Sequence, residues 1–145
     1  MILYLDTSSL LKLYVREQGS EGLRELAARA ELIATSWATY PEARSAFARK
    51  RREGLLDGAE YRAKLMEFES QWAGYFALEL YPETMLHAGD LTEKNGLRAL
   101  DAIQLASALG VRDHPGFSGR SMTFCSADRR LVAAAQAEGL DCTFG

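Results

Sequence analysis

Apolar and polar residues follow two periods that alternate along the chain. Short apolar runs lie at Ile2–Leu5, Glu31–Thr35, Ala77–Tyr81, Met122–Cys125 and Asp141–Phe144. Runs of this length, apolar on successive residues, predict strands covered on both faces. Helical spacing fills the intervals. Ser8–Val15 predicts a short helix. GSEGLRELAARA, from Gly19, places Leu23, Leu26 and Ala27 on one side. Ser36–Arg52 reads as helical, with Gly54 ending it. A helix from Asp57 to Tyr75 carries Tyr61, Leu65, Phe68 and Trp72 at helical spacing. Pro82 opens another, closed by Asn95-Gly96, and Leu97–Leu109 is an apolar helix with Gly110 placed to end it. His114–Gly119, HPGFSG, reads as a loop and Arg129–Glu138 as the last helix. Strand alternating with helix implies βαβ units and a mostly parallel sheet. No repeat, low-complexity tract or linker interrupts the pattern, so residues 1–145 are expected to form a single domain.

Acids fall at the joints of this pattern. Ile2–Leu5 ends on Asp6, and Thr7-Ser8-Ser9 follow as N-cap candidates for the next helix. Asp6 therefore lies at the carboxyl edge of the sheet, where open α/β folds bind ligands. Asp128 repeats the placement after Met122–Cys125 and Ser126-Ala127. Asp101, within LRALDAIQLASAL, shares a helix face with Leu97, Leu105 and Ala108. A carboxylate among such neighbours is costly unless it is paired or bound to a metal. Glu42 lies in ATYPEARSAFAR, near Ala38, Ala46 and Arg49 on its helix. Plainer readings stand beside these. Asp6 and Asp128 could serve only as helix caps and Glu42 as an exposed helix acid; Asp101 is the hardest to account for in that way. Pro41 adds a constraint, since proline inside a helix removes a hydrogen bond. Either the helix begins near Thr39 or it bends there, and the aim of Glu42 depends on which.

Composition narrows the chemistry. The chain is 48% hydrophobic and 26% charged over 145 residues, ordinary for a soluble globular protein. No apolar stretch approaches the roughly 20 residues of a membrane span, so no membrane partner is expected. The opening MILYLD has neither a basic flank nor a cleavage pattern, and the expected location is cytoplasmic. Cys125 and Cys142 fit no zinc spacing, and only two histidines are present, so a transition-metal site is disfavoured. Cys125 reads as a buried, reduced thiol, and His87 and His114 as surface residues. The net charge of -3 exerts no general pull on nucleic acid, so any contact must be local. Arg49-Lys50-Arg51-Arg52 is one such patch, readable as an RNA backbone contact or as a solvated helix end. If the four acids converge, they repel one another and raise each other's pKa values. A divalent cation would stabilise them as anions, and hard oxygen ligands select Mg²⁺ or Mn²⁺. Such a site suits phosphodiester hydrolysis. No nucleophilic Ser–His pair or glycine-rich phosphate loop competes for the role.

With these residues in view, the sequence resembles the PIN-domain family, and most closely the VapC-type toxin ribonucleases of prokaryotic toxin–antitoxin pairs. LDTSSLLKLYV with Asp6, TSWATYPEARSAFAR with Glu42, LRALDAIQLASA with Asp101 and FCSADRRL with Asp128 carry the resemblance. They occur in the family's order across nearly the whole chain. The resemblance implies a three-layer α/β/α fold and a ribonuclease dependent on Mg²⁺ or Mn²⁺. It implies that Asp6 and Asp101 are the principal metal ligands, with Asp128 and Glu42 completing the catalytic pocket directly or through water. Ser8 and Ser126 match hydroxyl positions that support the cluster. It also implies an RNA substrate, a homodimer and a cognate antitoxin docked along the Ser36–Tyr75 helices; the apolar face of Tyr61, Leu65, Phe68 and Trp72 there suggests a helix-sized contact, part of which must serve the core. Phe68, Trp72, Tyr75 and Phe76 are otherwise expected as core or dimer contact rather than as base-stacking platforms.

Rival readings are a PIN nuclease with a housekeeping RNA-processing role, a receiver-like signalling module, a haloacid-dehalogenase-like phosphatase and a catalytically dead PIN scaffold. A receiver would want an acidic pair after the first strand and a late lysine. Here Thr7-Ser8 follows Asp6, and arginines follow Asp128. The phosphatase needs a second aspartate at position 8, which is serine. The dead scaffold is disfavoured because all four acids are present.

Overall fold

The chain begins in the middle of its own sheet. The computed structural model describes residues Met1–Gly145. It contains five strands: β1 (Ile2–Leu5), β2 (Leu32–Ser36), β3 (Phe76–Leu78), β4 (Met122–Ser126) and β5 (Asp141–Phe144). They form one parallel sheet in the order β3-β2-β1-β4-β5. β1 pairs with β2 on one side, Ile2 opposite Leu32, and with β4 on the other, Leu5 opposite Cys125. The chain thus builds outward from β1 to β3, then crosses to β4 on the far side. That reversal opens a crevice at the carboxyl ends of β1 and β4.

Seven helices cover the sheet: α1 (Thr7–Leu11), α2 (Ser20–Arg29), α3 (Thr39–Arg52), α4 (Gly58–Trp72), α5 (Pro82–Asn95), α6 (Ala99–Arg112) and α7 (Arg129–Ala137). Strand alternation divides the core between the two faces. Ile2, Tyr4 and Phe124 pack with Leu91, Leu105 and Leu131 of α5, α6 and α7. Leu3, Leu5 and Cys125 pack with Leu10, Leu23, Phe47 and Phe68 of α1, α2, α3 and α4. The result is the expected three-layer α/β/α arrangement, with a fully parallel sheet. No helix is long and apolar enough to cross a membrane.

Several local expectations are corrected. The first helix stops at Leu11 rather than Val15, and Asp6 itself is its N-cap in place of the hydroxyl residues after it. The helix expected from Ser36 begins at Thr39, because β2 continues through Ser36. Pro41 therefore lies in the first turn, where its missing N–H has no intrahelical acceptor to lose. The third strand is displaced, running Phe76–Leu78 rather than Ala77–Tyr81. Gly96 closes α5 in the left-handed conformation at φ 63°. Gly110 does not end α6, which runs on to Arg112. A Cβ at position 110 would lie 2.7 Å from Leu78 Cδ2. Glycine there lets α6 lie close on β3. His114 is not a free surface residue. Its ring caps a 3₁₀ turn at Pro115–Phe117, accepting from the Gly116 N–H at 3.0 Å, and its centroid lies 5.2 Å from that of Phe76.

The aromatic residues of α4 serve the core. Phe68 is fully buried, with the rings of Tyr14, Tyr40, Phe47 and Trp72 at centroid distances of 5.6, 5.7, 5.7 and 5.5 Å. Tyr61, Trp72 and Tyr75 pack against the same cluster. This face is therefore not a free groove along α4. Phe76 belongs to the opposite layer, against Phe117 at 4.8 Å.

Candidate active site

Each of the four acids occupies the N-terminal end of a helix. Asp6 and Asp128 are the N-caps of α1 and α7; Glu42 and Asp101 lie in the first turns of α3 and α6. The positive end of a helix dipole favours a carboxylate there. β1, β2 and β4 lead into α1, α3 and α7 at one edge of the sheet, and α6, which follows α5, brings Asp101 into one cleft with Asp128.

Asp6 is the innermost acid, 5% exposed. Its Oδ1 accepts from the Ser9 N–H at 2.9 Å and the Ser8 hydroxyl at 2.8 Å, and its Oδ2 accepts from the Ser126 hydroxyl at 2.6 Å. Ser8 and Ser126 thus meet at the carboxylate from opposite sides of the β1–β4 crevice. Ser126 also accepts from the Asp128 N–H at 3.0 Å, tying the two strand ends together. Asp128 accepts from the Arg130 and Leu131 N–H groups at 2.8 and 3.2 Å and faces solvent. Its cap role is real, and the second carboxylate oxygen remains free of these bonds.

Glu42 is held by a network absent from the sequence-based expectation. Its Oε1 accepts from the Thr7 hydroxyl at 3.0 Å and from Gln104 Nε2 at 3.3 Å. The Gln104 amide also donates to Thr39 Oγ1 at 2.9 Å, while its Oε1 accepts from the Tyr4 hydroxyl at 2.8 Å. Thr39 meets Thr35, whose hydroxyl contacts the Leu5 carbonyl at 2.7 Å. An acceptor-only carboxylate requires the amide nitrogen on its side, and the Tyr4 hydroxyl supplies a donor for the amide oxygen. Gln104 lies one turn beyond Asp101 within a buried apolar helix. A lone buried amide in that setting needs partners, and that was the available signal. Replacing Gln104 with Met keeps the volume but leaves the Tyr4 hydroxyl and Glu42 without it. Chemical denaturation is expected to show a loss of about 1–3 kcal/mol; an unchanged midpoint would mean that other groups take over its hydrogen bonds.

The charges reach one another. Burial pushes the Asp6 carboxyl upward, against the donors Ser126, Ser9 and Ser8. Burial likewise raises Glu42, with Thr7 and Gln104 opposing and Asp6 and Asp101 adding to the rise. Asp101 is raised by burial, then by Asp128 and Asp6, with Arg98 and Arg130 opposing. Repulsion thus reaches Glu42 from Asp6 and Asp101, and Asp101 from Asp128 and Asp6.

The sequence-based basic patch divides. Lys50 pairs with Glu17 at 3.5 Å, and the Arg51 guanidinium lies over the Tyr61 ring, 5.2 Å from its centroid. Arg49 lines a groove of about 700 Å³ beside Glu42, with Leu11, Leu80, Leu100 and Ile103 on its walls. Arg52 is exposed.

A family model described as "PIN domain" matches residues 3–137. The chain belongs to the PIN-domain family. Ribonuclease VapC45 of Mycobacterium tuberculosis is 35% identical over 138 residues, which cover 95% of this chain and 92% of that relative. The PIN fold also aligns with solved structures. FitAcB from Neisseria gonorrhoeae gives a TM-score of 0.70 at 19% identity, covering 100% of this chain and 97% of that one. VapBC2 from Rickettsia felis, solved bound to a DNA fragment from its promoter, gives 0.66 at 15%, covering 100% and 99%.

A metal at this PIN edge would meet oxygen donors only, four carboxylates and two hydroxyls, with no imidazole or thiol among them. No three acidic, imidazole or thiol groups are drawn together into a ready-made ligand cage. The donor types, all hard oxygens, are those that suit Mg²⁺ or Mn²⁺ rather than zinc.

Proposed function

We propose that this PIN-domain protein, as one domain over residues 1–145, is an endoribonuclease dependent on Mg²⁺ or Mn²⁺ and the toxin of a VapBC-type pair. The observation that carries the reading is the placement of the acids at one sheet edge: Asp101 and Asp128 line one cleft, and the Asp6 carboxylate is held by Ser8 and Ser126 where β1 and β4 end. The 35% identity to a VapC ribonuclease over nearly the whole chain supports it. Asp6 and Asp101 would hold the ion, with Asp128 and Glu42 reaching it directly or through water. A bound divalent cation supplies an acidified water and neutralises charge on the phosphate. Thr7 and Gln104 keep Glu42 aimed at the edge, where its carboxylate can orient water or take a proton. Ser8, Ser126 and the Ser9 N–H hold the Asp6 carboxylate in one pose.

A homodimer and an antitoxin belong to the same proposal. The groove beside Glu42, lined by Pro41, Ser45, Ala46 and Arg49 of α3 within the Ser36–Tyr75 helices, is the antitoxin's seat. A segment lying there could extend an arginine to the acids, with bidentate geometry toward a carboxylate.

Purified protein should generate new RNA ends with Mg²⁺ or Mn²⁺ and stop when EDTA is added. Mapping of 5′ ends reads the result, and undiminished cleavage in EDTA would overturn the metal-dependent reading. Co-expression with the product of an adjacent reading frame should relieve any growth arrest. A complex that forms fully and cleaves at the free rate would favour a housekeeping nuclease.

A further inference from the structure

An acidic edge that takes RNA must overcome its own repulsion, and the net charge of -3 offers no help at long range. Positive charge is nevertheless placed beside the acids. A cleft of about 130 Å³ is lined by Gly96, Leu97, Arg98, Asp101, Asp128 and Arg130. Two arginines and two of the four acidic residues thus line one small cavity, yet they do not pair. No ion pair within 4.0 Å joins Arg98 or Arg130 to any carboxylate. Arg130 instead donates from Nη2 to the Gly96 carbonyl at 3.1 Å, which anchors its side chain at the cleft. The Arg98 side chain makes no hydrogen bond within the protein, and both residues are exposed. Their charge still reaches Asp101, where it opposes part of the rise caused by burial and the acidic neighbours.

Arginines that served only to neutralise the acids would close onto them as bidentate pairs. Arg130 is drawn to the Gly96 carbonyl and Arg98 is unpaired, so their remaining donors are available to an outside anion. A guanidinium is suited to phosphate oxygens for the same geometric reason. The sequence-based patch is less available, since Lys50 and Arg51 are engaged with Glu17 and Tyr61.

We propose that Arg98 and Arg130 form a phosphate-binding subsite for the RNA strand, receiving the backbone phosphate adjacent to the one at the acidic edge. The inference rests on the ribonuclease reading and extends it. Asp101 and Asp128 line the same cleft, so the strand lies across both: one phosphate meets the carboxylate cluster and its neighbour meets the arginines. The subsite recognises the backbone and carries no base preference.

The test compares wild type with the R98Q/R130Q and R49Q/R52Q variants. Binding of a short labelled single-stranded RNA is followed by anisotropy in EDTA at several salt concentrations, and cleavage is followed with Mn²⁺. Losing two phosphate contacts should reduce the magnitude of the log–log salt slope by about 1.4 in R98Q/R130Q. KM should rise about tenfold, with kcat within about threefold of wild type, because the contact is made in ground and transition states alike. R98K/R130K should recover most of the salt slope. Melting temperatures matching wild type, with and without Mn²⁺, separate lost binding from lost folding. An R98Q/R130Q variant with wild-type slope and KM overturns the subsite and leaves the nuclease intact, as does a loss confined to R49Q/R52Q. A wild-type protein that neither binds nor cleaves RNA overturns the ribonuclease reading, and the subsite with it.

Discussion

Replacing Asp6 with Asn is expected to lower RNA cleavage by on the order of 10⁴-fold while the protein stays folded. The substitution keeps the shape of the side chain. Asn is as good an N-cap as Asp, and the retained carbonyl can still accept from the Ser9 N–H, now 2.9 Å from Oδ1. At the other position the Ser126 hydroxyl, now donating at 2.6 Å, can rotate to accept from the new amide. What disappears is the negative charge of the innermost acid, with Ser8 and Ser126 left around a neutral group that is a poor ligand for a hard cation. Single-turnover cleavage of a short RNA in Mn²⁺ reads the rate, and a urea melt reads the fold. A variant that keeps a tenth of the wild-type rate would remove Asp6 from the catalytic cluster.

Asp101→Asn is expected to be inactive as well, but with metal-free stability equal to wild type or higher at neutral pH. Asp101 accepts no hydrogen bond within the protein, so the amide replaces no structural acceptor. Its carboxyl is raised by burial first, then by the charges of Asp128 and Asp6. A carboxyl raised in the folded state binds its proton more tightly there than in the unfolded chain. Its contribution to stability is therefore greatest at low pH. That contribution declines as pH climbs from the ordinary carboxylate range through the raised folded value. Glu42 and Asp6 are raised in the same direction, so metal-free wild type should lose stability across that window, and the Asn variant should lose less. Because Asp101 is only partly buried, the difference at neutral pH is small. Denaturation in EDTA from pH 4 upward measures the slope directly. A large stability loss in Asp101→Asn at neutral pH would make Asp101 a structural residue instead.

Much of this protein is legible in the order of its residues because the deciding forces act over short stretches. An uninterrupted apolar run such as Ile2–Leu5 requires cover on both faces, and an acid placed just after it falls at the carboxyl edge of the sheet. The same reasoning places Asp128. Asp101 is conspicuous because its helix neighbours are apolar, and Asn95-Gly96 ends α5 through local backbone preference alone. These signals suffice for the α/β alternation, the four acids and the PIN-family resemblance.

Other features depend on partners remote in sequence. Gly110 looks like a helix terminator until Leu78 is seen to occupy the space its Cβ would need. The aromatic face of α4 looks available to a partner until Tyr14, Tyr40 and Phe47 surround Phe68. Gln104 acquires its place beside Glu42 only when α6 packs against β2, bringing Tyr4 and Thr39 to its amide. Arg49–Arg52 form a single basic run in the sequence. Helical rotation sends Lys50 to Glu17, Arg51 to Tyr61 and Arg49 to the groove beside Glu42. Arg98 and Arg130, 32 positions apart in the numbering (130 − 98), share a cleft only after α6 and α7 have docked. Local pattern determines where a strand ends and which chemistry stands there. Which side chains are already engaged, and which remain free for a ligand, is decided by packing between distant segments, since hydrogen bonds and ion pairs form with whatever group the fold brings within reach.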